Sequence, residues 1–487
     1  MTGPTGLFID GGWRAPAVER WLDVDSPSTE ERIGRVALGG VADMEAAIAA
    51  ARRAFDAGPW PQLPIDERRA LIRRAGELLD ARADDLDRII TADTGVIIRY
   101  HLGHVRDRFE YNAGLDLPAV EDRVAPNGAV GRIVHEPVGV VGAIVPWNAP
   151  MALTLSKILP ALLVGCTVIL KPPRETPLYA YPLAEAFADA GVPDGVFNVV
   201  VSDREAAELL VTHRHVDHVS FTGSSETGKR IGALASQRVK TVGLELGGKS
   251  PVILLDDVDL ATAAPAVLGG GMLLNNGEAC AAWTRILVPR RRHDEMVDAF
   301  CDVVRAVRIG DPFDPATDLG PMVSRSHRDK VEGYIALAQE EGAKLAIGGG
   351  RPAGLDRGWY VEPTLIVGAD NAMRSSREEI FGPVVSVMPY DDEDEAVRIA
   401  NDSDFGLSAG VFSADVDRGV EIAGRIRSGT VGVNNLGFNM AFPFGGYKES
   451  GIGRQHGPES LHEYLETKTI GLPPGFGGFQ ADEGATR

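Results

Sequence analysis

Arg132-Ile-Val-His-Glu-Pro-Val-Gly-Val-Val-Gly-Ala-Ile-Val-Pro146 contains two β-branched runs, divided at Pro137 and broken again at Pro146. Valine and isoleucine at that density suit strands, and proline ends them because it cannot donate to a ladder. Working downstream, the pattern predicts a helix over Met151–Leu163, a strand over Thr167–Lys171 and a helix over Tyr181–Ala190. A strand over Val196–Val201, a helix over Arg204–Thr212 and a strand in His218-Val-Ser-Phe-Thr-Gly223 follow. Strands alternating with helices of about a dozen residues imply a doubly wound parallel sheet. Such a sheet binds ligands beyond the carboxyl ends of its strands.

Upstream, Phe8-Ile-Asp-Gly-Gly-Trp13 reads as a strand and turn, and Asp43–Asp56 and Asp66–Thr94 carry apolar residues at helical spacing. A second alternating region runs from Ser250 to about Gly432, with strands expected at Val252–Leu255, Arg285–Val288 and Val384–Pro389. Glu463–Arg487 offers a short polar strand and a Gly/Pro-rich end. No internal repeat stands out.

At 487 residues the chain exceeds what one core supports, so two or three domains are expected. A net charge of −20 excludes the basic stripe of a nucleic-acid binder and disfavours anionic lipid. An anionic cofactor remains admissible, because backbone N–H groups hold phosphate locally. Cys166, Cys280 and Cys301 form no C-x-x-C pair, which suggests a reducing compartment. Met1–Trp13 lacks a signal-peptide pattern, and no apolar run is long enough to span a bilayer, so a cytoplasmic protein is expected. His213-Arg-His-Val-Asp-His218 reads as a solvated turn before a strand, and no metal site is expected.

Four stretches carry chemistry. In Asn275-Asn-Gly-Glu-Ala-Cys-Ala-Ala-Trp-Thr-Arg285, Cys280 sits in a polar, glycine-containing loop. Nearby N–H groups there would lower its pKa and make it a nucleophile; the alternative is a small buried hydrophobe, the reading given to Cys166 and Cys301. In Thr241-Val-Gly-Leu-Glu-Leu-Gly-Gly-Lys-Ser-Pro251, burial among apolar residues would raise Glu245 toward general-base range, unless it pairs with Lys249. In Val145-Pro-Trp-Asn-Ala-Pro150, Asn148 is either a turn residue or a donor to an oxyanion. Phe221-Thr-Gly-Ser-Ser-Glu-Thr-Gly228 runs a strand into a small-residue turn and a helix, where N–H groups could cradle a pyrophosphate.

Taken in order, these stretches resemble the aldehyde dehydrogenase superfamily, and the resemblance extends through Glu378-Glu-Ile-Phe-Gly-Pro-Val384 to Pro443-Phe-Gly-Gly-Tyr-Lys-Glu-Ser-Gly-Ile-Gly453. It implies an α/β fold with a Rossmann-type cofactor domain (1–120 and 138–247), an α/β catalytic domain (248–446) and a small β oligomerisation element (121–137 and 463–487). It also implies a homodimer or homotetramer. By the resemblance, Cys280 attacks the aldehyde and Asn148 with the Cys280 N–H stabilises the oxyanion. Hydride leaves to the nicotinamide, and Glu245 activates water to hydrolyse the thioester. Lys171 would reach the adenosine ribose, Gly223 and Ser224 the pyrophosphate, and Glu379 the nicotinamide ribose, with Phe381 and Trp147 beside the cofactor. Lys157, on the helix after Asn148, resembles a family lysine but reads equally as surface solvation.

Arg174 stands where many NAD-preferring relatives carry a glutamate, so NAD is expected with NADP also accepted. Glu278 replaces a commoner glutamine, and Trp283 is expected to pack rather than to meet substrate. The substrate mouth is expected to include Ala149, Leu153, Ser156, Ala279, Ala281, Phe438 and Phe442. Its small residues imply a wide apolar tunnel for medium or bulky hydrophobic aldehydes, aliphatic or aromatic. These segments hold no aromatic cage for a quaternary ammonium and no arginine awaiting a second carboxylate. The rival function is a cysteine-dependent esterase or thioesterase that needs no nicotinamide.

Overall fold

Five parallel strands, Thr241–Glu245, His218–Thr222, Val140–Ile144, Thr167–Lys171 and Phe197–Val199, lie side by side in that order. Gly451–Ile452 and the hairpin Leu7–Ile9/Gly12–Arg14 close the two sides antiparallel, giving an eight-stranded sheet. Our computed structural model describes residues 6–100 and 105–473. In the register, Thr222 lies opposite Glu245, Phe221 opposite Ile144, and Ile144 opposite Lys171. The carboxyl ends therefore finish level, and the turns after them share one edge.

A second, seven-stranded sheet follows, in the order Lys344–Ile347, Thr364–Val367, Val384–Tyr390, Trp283–Pro289, Ser250–Leu254, Ser408–Phe412 and Thr430–Val433. Only its first pair is antiparallel. The chain passes from the carboxyl end of Thr241–Glu245 to the amino end of Ser250–Leu254 in four residues. The carboxyl edge of one sheet is thereby joined to the amino edge of the other. Cys280 lies just before Trp283, and Glu379 and Phe381 just before Val384, at that amino edge.

Helix Pro150–Val164 is apolar on nearly every face and almost wholly buried, as such a helix must be. Pro150 occupies its first turn, where no N–H is needed, and Gly165 ends it at φ 104°. Trp283 is 1% exposed, with its indole against Gly270 and Gly410, so it packs as expected. The antiparallel pair Trp21–Asp25/Arg32–Ala37 was not anticipated, because its charged, half-exposed residues hide the period of two. The strand expected over Val196–Val201 is limited to Phe197–Val199.

A separate three-stranded sheet joins Leu465–Leu472, Val130–Pro137 and Glu121–Val124. Eight consecutive residue pairs, from Leu465↔Pro137 to Leu472↔Val130, tie the tail to its middle strand. The Gly/Pro-rich end, 474–487, lies outside the described residues, as do 1–5. Among the described residues, no helix is long and apolar enough to cross a membrane.

Candidate active site

The loop before Cys280 takes three successive left-handed residues, Asn275, Asn276 and Gly277, at φ 51°, 59° and 76°. Asparagine tolerates this conformation and glycine is free in it. A Cβ on Gly277 would fall 2.2 Å from the Gly382 carbonyl carbon, so this loop lies directly on the one carrying Glu379 and Phe381. Asn276 is buried and fully bonded, donating to the Gly95 and Pro321 carbonyls and accepting from Gly320 N–H. Asn275 Nδ2 donates to the Asn148 carbonyl (2.9 Å), and Asn148 Nδ2 donates to the Glu278 carbonyl (2.9 Å). The Asn148 amide is thus fixed against the Cys280 loop.

Cys280 departs from one expectation. Its backbone N–H and that of Ala281 do pull its pKa down, but burial dominates, with Glu379 and Glu245 adding to it. The thiol is pushed up to about 12, not lowered. Behind it Glu278 is fully buried, and burial holds its carboxyl well above the usual range even though Val323 N–H bonds it.

Glu245 is 3% exposed, and neither carboxylate oxygen has a hydrogen-bond partner among the described residues. Burial raises its pKa well above the ordinary value; Lys157 and Arg454 pull it down, and Glu463 pushes it up. The pairing with Lys249 does not occur: Lys249 is buried beside Arg285, Glu379 and Glu378, and burial lowers it to about 7. The surface reading of Lys157 is also overturned. It is fully buried, lowered by burial to about 8, with Glu245, Glu463 and Cys280 as its charged or ionisable neighbours, and its Nζ lies 3.4 Å from Ser220 Oγ. Glu463, raised by burial to about 7, completes this cluster. A charged residue inside the apolar run Met151–Val164 was the available signal for Lys157. Glu463 had none, because more than two hundred residues separate it from Glu245.

At the carboxyl edge of the first sheet, Ser224 caps helix Ser225–Ser236, accepting from Thr227 N–H, and its first turn is largely open. Gly223 donates to the Glu245 carbonyl, and a Cβ there would strike the Phe221 ring at 2.5 Å. Glu379 accepts from Gly248 N–H (2.9 Å), and a Cβ on Gly247 would lie 2.6 Å from its other oxygen. Trp147 and Phe381 meet edge to face at 5.3 Å, with His327 against both; His327 Nε2 lies 2.6 Å from the Phe381 carbonyl, and Phe381 is held at φ 65°. Lys171 is lowered by burial, with Glu175 and Arg174 as its charged neighbours. Arg174 is exposed. A helix N-terminus, an aromatic wall and a carboxylate with one uncommitted oxygen are suited to an anionic dinucleotide.

Along helix Pro150–Val164, Ala149, Leu153 and Ser156 fall on one face. Ser156 is buried, and its hydroxyl lies 3.0 Å from the Leu153 carbonyl and 3.1 Å from Gln455 Oε1. Ala279 is half-buried and Ala281 buried. Phe438 is 39% exposed and touches Phe444, while Phe442 stands outside at 60% exposed. A narrow crevice beside Ser156 is lined by residues the sequence did not single out: Arg108, Tyr111, Asn112, Leu155, Met440 and His456. Among the described residues no group of three His, Cys, Asp or Glu could hold a metal ion. His218 is a buried strand residue, packed on Tyr464 and bonded to Thr241.

Two α/β sheets meeting at a cysteine, an asparagine amide and a buried glutamate define a class of oxidoreductase, and the chain belongs to the aldehyde dehydrogenase family, whose model matches residues 13–470. It is 44% identical over 472 residues to the geranial dehydrogenase of Castellaniella defragrans, covering 96% of this chain and 98% of that one. It is 41% identical to the betaine aldehyde dehydrogenase of Brucella canis, covering 95% and 96%. Among solved structures, a Mycobacterium tuberculosis aldehyde dehydrogenase complexed with NAD+ superimposes with TM-score 0.95 at 45% identity, covering 97% of this chain and 99% of that one. A Staphylococcus aureus betaine aldehyde dehydrogenase in complex with NAD+ gives TM-score 0.93 at 38% identity, covering 96% and 94%.

Proposed function

We propose that the protein oxidises a medium or bulky hydrophobic aldehyde to its carboxylic acid with NAD, through a thioester on Cys280 that Glu245-activated water hydrolyses. The observation that carries this reading is the convergence on one cysteine of a fixed asparagine amide and a buried carboxylate with both oxygens uncommitted. NAD, when bound, would supply the hydride acceptor; Glu379 and the turn at Gly223 and Ser224 would hold it, with Lys171, Arg174, Trp147 and Phe381 beside it.

Glu245 first removes the Cys280 proton, which burial holds tightly. The thiolate adds to the carbonyl carbon, and the oxyanion takes one N–H from Asn148 and one from the Cys280 backbone. The adduct becomes the thioester by losing hydride to the nicotinamide that NAD would supply. Glu245 gives the thiol proton up to solvent, then takes a proton from the water that attacks the thioester and releases the Cys280 thiolate. Burial lowers Lys157 and raises Glu463, which brings both toward neutral pH and suits them to pass each proton outward. The hydrophobic substrate is supported by the face at Ala149 and Leu153, the aromatic rim at Phe438 and Phe442, and the 44% identical geranial dehydrogenase. The same reading assigns 1–120 and 138–247 to the cofactor, 248–446 to catalysis and 121–137 with 463–487 to a homo-oligomer contact. The free state of all three cysteines fits a cytoplasmic enzyme.

The test is absorbance of the reduced nicotinamide with aliphatic, aromatic and terpenoid aldehydes, using NAD and NADP in parallel and Cys280→Ala beside the wild type. Reduction that disappears in the variant is expected. Absence of reduction with either cofactor, with a nitrophenyl ester still cleaved, would replace this reading by the esterase.

A further inference from the structure

The crevice beside Ser156 contains a cation with no counter-charge among the described residues. Arg108, on helix Val105–Ala113, is partly buried, and among the described residues its guanidinium makes no hydrogen bond or ion pair. Its neighbours on that helix behave differently: Arg106 pairs with Glu77 and Glu110, and Arg73 reaches Glu110 from the adjacent helix. Burial alone lowers the Arg108 pKa, with no carboxylate acting on it. Tyr111, Asn112, Ser156, Met440 and His456 form the rest of the wall. Burial, with Arg108 and Lys157 adding to it, lowers His456 to about 4, so His456 is neutral and adds a polar edge without charge near pH 7. In a chain of net charge −20, with most of its arginines paired, a desolvated guanidinium left open is costly unless an anion meets it.

The crevice lies at a defined distance from the chemistry. Ala149 follows Asn148, and Ser156 lies seven residues further along the same face of the helix, about 10 Å at the helical rise. Half-buried Leu153 lies between them. Along this helix face the order is polar Asn148, apolar Leu153 and, at Ser156, the crevice with its cation.

We propose that Arg108 binds a carboxylate at the end of the substrate remote from the aldehyde, so that the preferred substrates are medium-length ω-oxo carboxylates with an apolar body. This rests on the oxidation proposed above and refines its substrate class. It also sets a repulsion against a quaternary ammonium at the same place, because two cations would share a crevice that excludes much of the solvent.

The experiment compares kcat/KM for the semialdehyde of suberic acid, its methyl ester and octanal, with NAD, in the wild type and in Arg108→Met. The acid should exceed its ester by about tenfold to a hundredfold in the wild type, the range of a charge-assisted hydrogen bond. The advantage should shrink toward unity in Arg108→Met and survive in part in Arg108→Lys, and it should sit mainly in KM. Equal kcat/KM for acid and ester in the wild type overturns the proposal without any variant, and so does an advantage that Arg108→Met leaves intact. Failure of the wild type to oxidise octanal as well as both suberic probes would instead overturn the oxidation reading itself.

Discussion

At pH 7, a thiol raised to about 12 is ionised in only about one molecule in 10⁵. On the proposed mechanism, Cys280 depends on Glu245 for its reactivity and on its own N–H groups for the charge that follows. Alkylation of Cys280 by iodoacetamide, followed by mass spectrometry of its peptide, should be about a thousandfold slower than for a thiol at the ordinary value of 9.0. Its rate should climb about tenfold per pH unit between roughly pH 7 and pH 9. Glu245→Gln keeps the size of the side chain and loses the base. It should lower steady-state turnover by about 10²- to 10⁴-fold, as rapid-mixing and steady-state assays would measure. Glu463 gives a pH signature for stability. Its pKa is raised in the folded state, so its favourable contribution is complete below the ordinary value of 4.5 and is lost as pH rises through about 7. Glu463→Gln should accordingly lose less Tm than the wild type between about pH 5 and pH 8 by calorimetry.

The elements that position these residues differ in how openly the sequence displays them. The strand Thr167–Lys171 and helix Arg204–Thr212 have the limits their residue pattern predicts, the strand because a buried parallel strand is a near-continuous apolar run, and a strand falls within His218–Gly223 as expected. The glycines of Leu246-Gly-Gly-Lys249 were read only as the surroundings of Glu245; the fold shows what they permit, since a Cβ on Gly248 would lie 2.3 Å from the Cys280 carbonyl oxygen. The burial of Lys157 was half-legible, as a charge in an otherwise apolar helix. The Arg108 crevice was not legible, because helix Val105–Ala113 has the polar composition of a solvated surface and only the tertiary fold brings it to Ser156. Packing at Trp283 provides an element-scale test. Its ring fills the space that Gly270 and Gly410 leave in the second sheet, and its indole N–H has no partner among the described residues. Trp283→Ala should destabilise by about 3–5 kcal/mol in urea unfolding. Trp283→Phe should lose much less, since no hydrogen bond is given up.

On the scale of the whole molecule, the two large sheets are each covered by helices, but the three-stranded sheet is not so enclosed. All four residues of Glu121–Val124 are exposed along one of its edges, and most of Leu465–Leu472 is exposed along the other. Unpaired strand edges invite association and persist in native proteins chiefly when charged or covered. Here Glu121, Asp122, Arg123 and Arg132 form ion pairs within the sheet, while Val124 and Ile470 remain exposed at 71% and 43%. An edge that combines internally paired charges with exposed apolar residues suits pairing with a second copy of the chain better than permanent solvation. Light scattering behind size exclusion should give two or four times the 51.9 kDa chain mass. A chain ended after Tyr464 keeps Glu463 and removes the strand that makes eight pairs with Val130–Pro137. That truncation should give the mass of one chain at micromolar concentration while far-UV circular dichroism remains close to that of the full chain. A full-length protein that is already monomeric would instead make this small sheet a cover for Val130–Pro137 within one subunit.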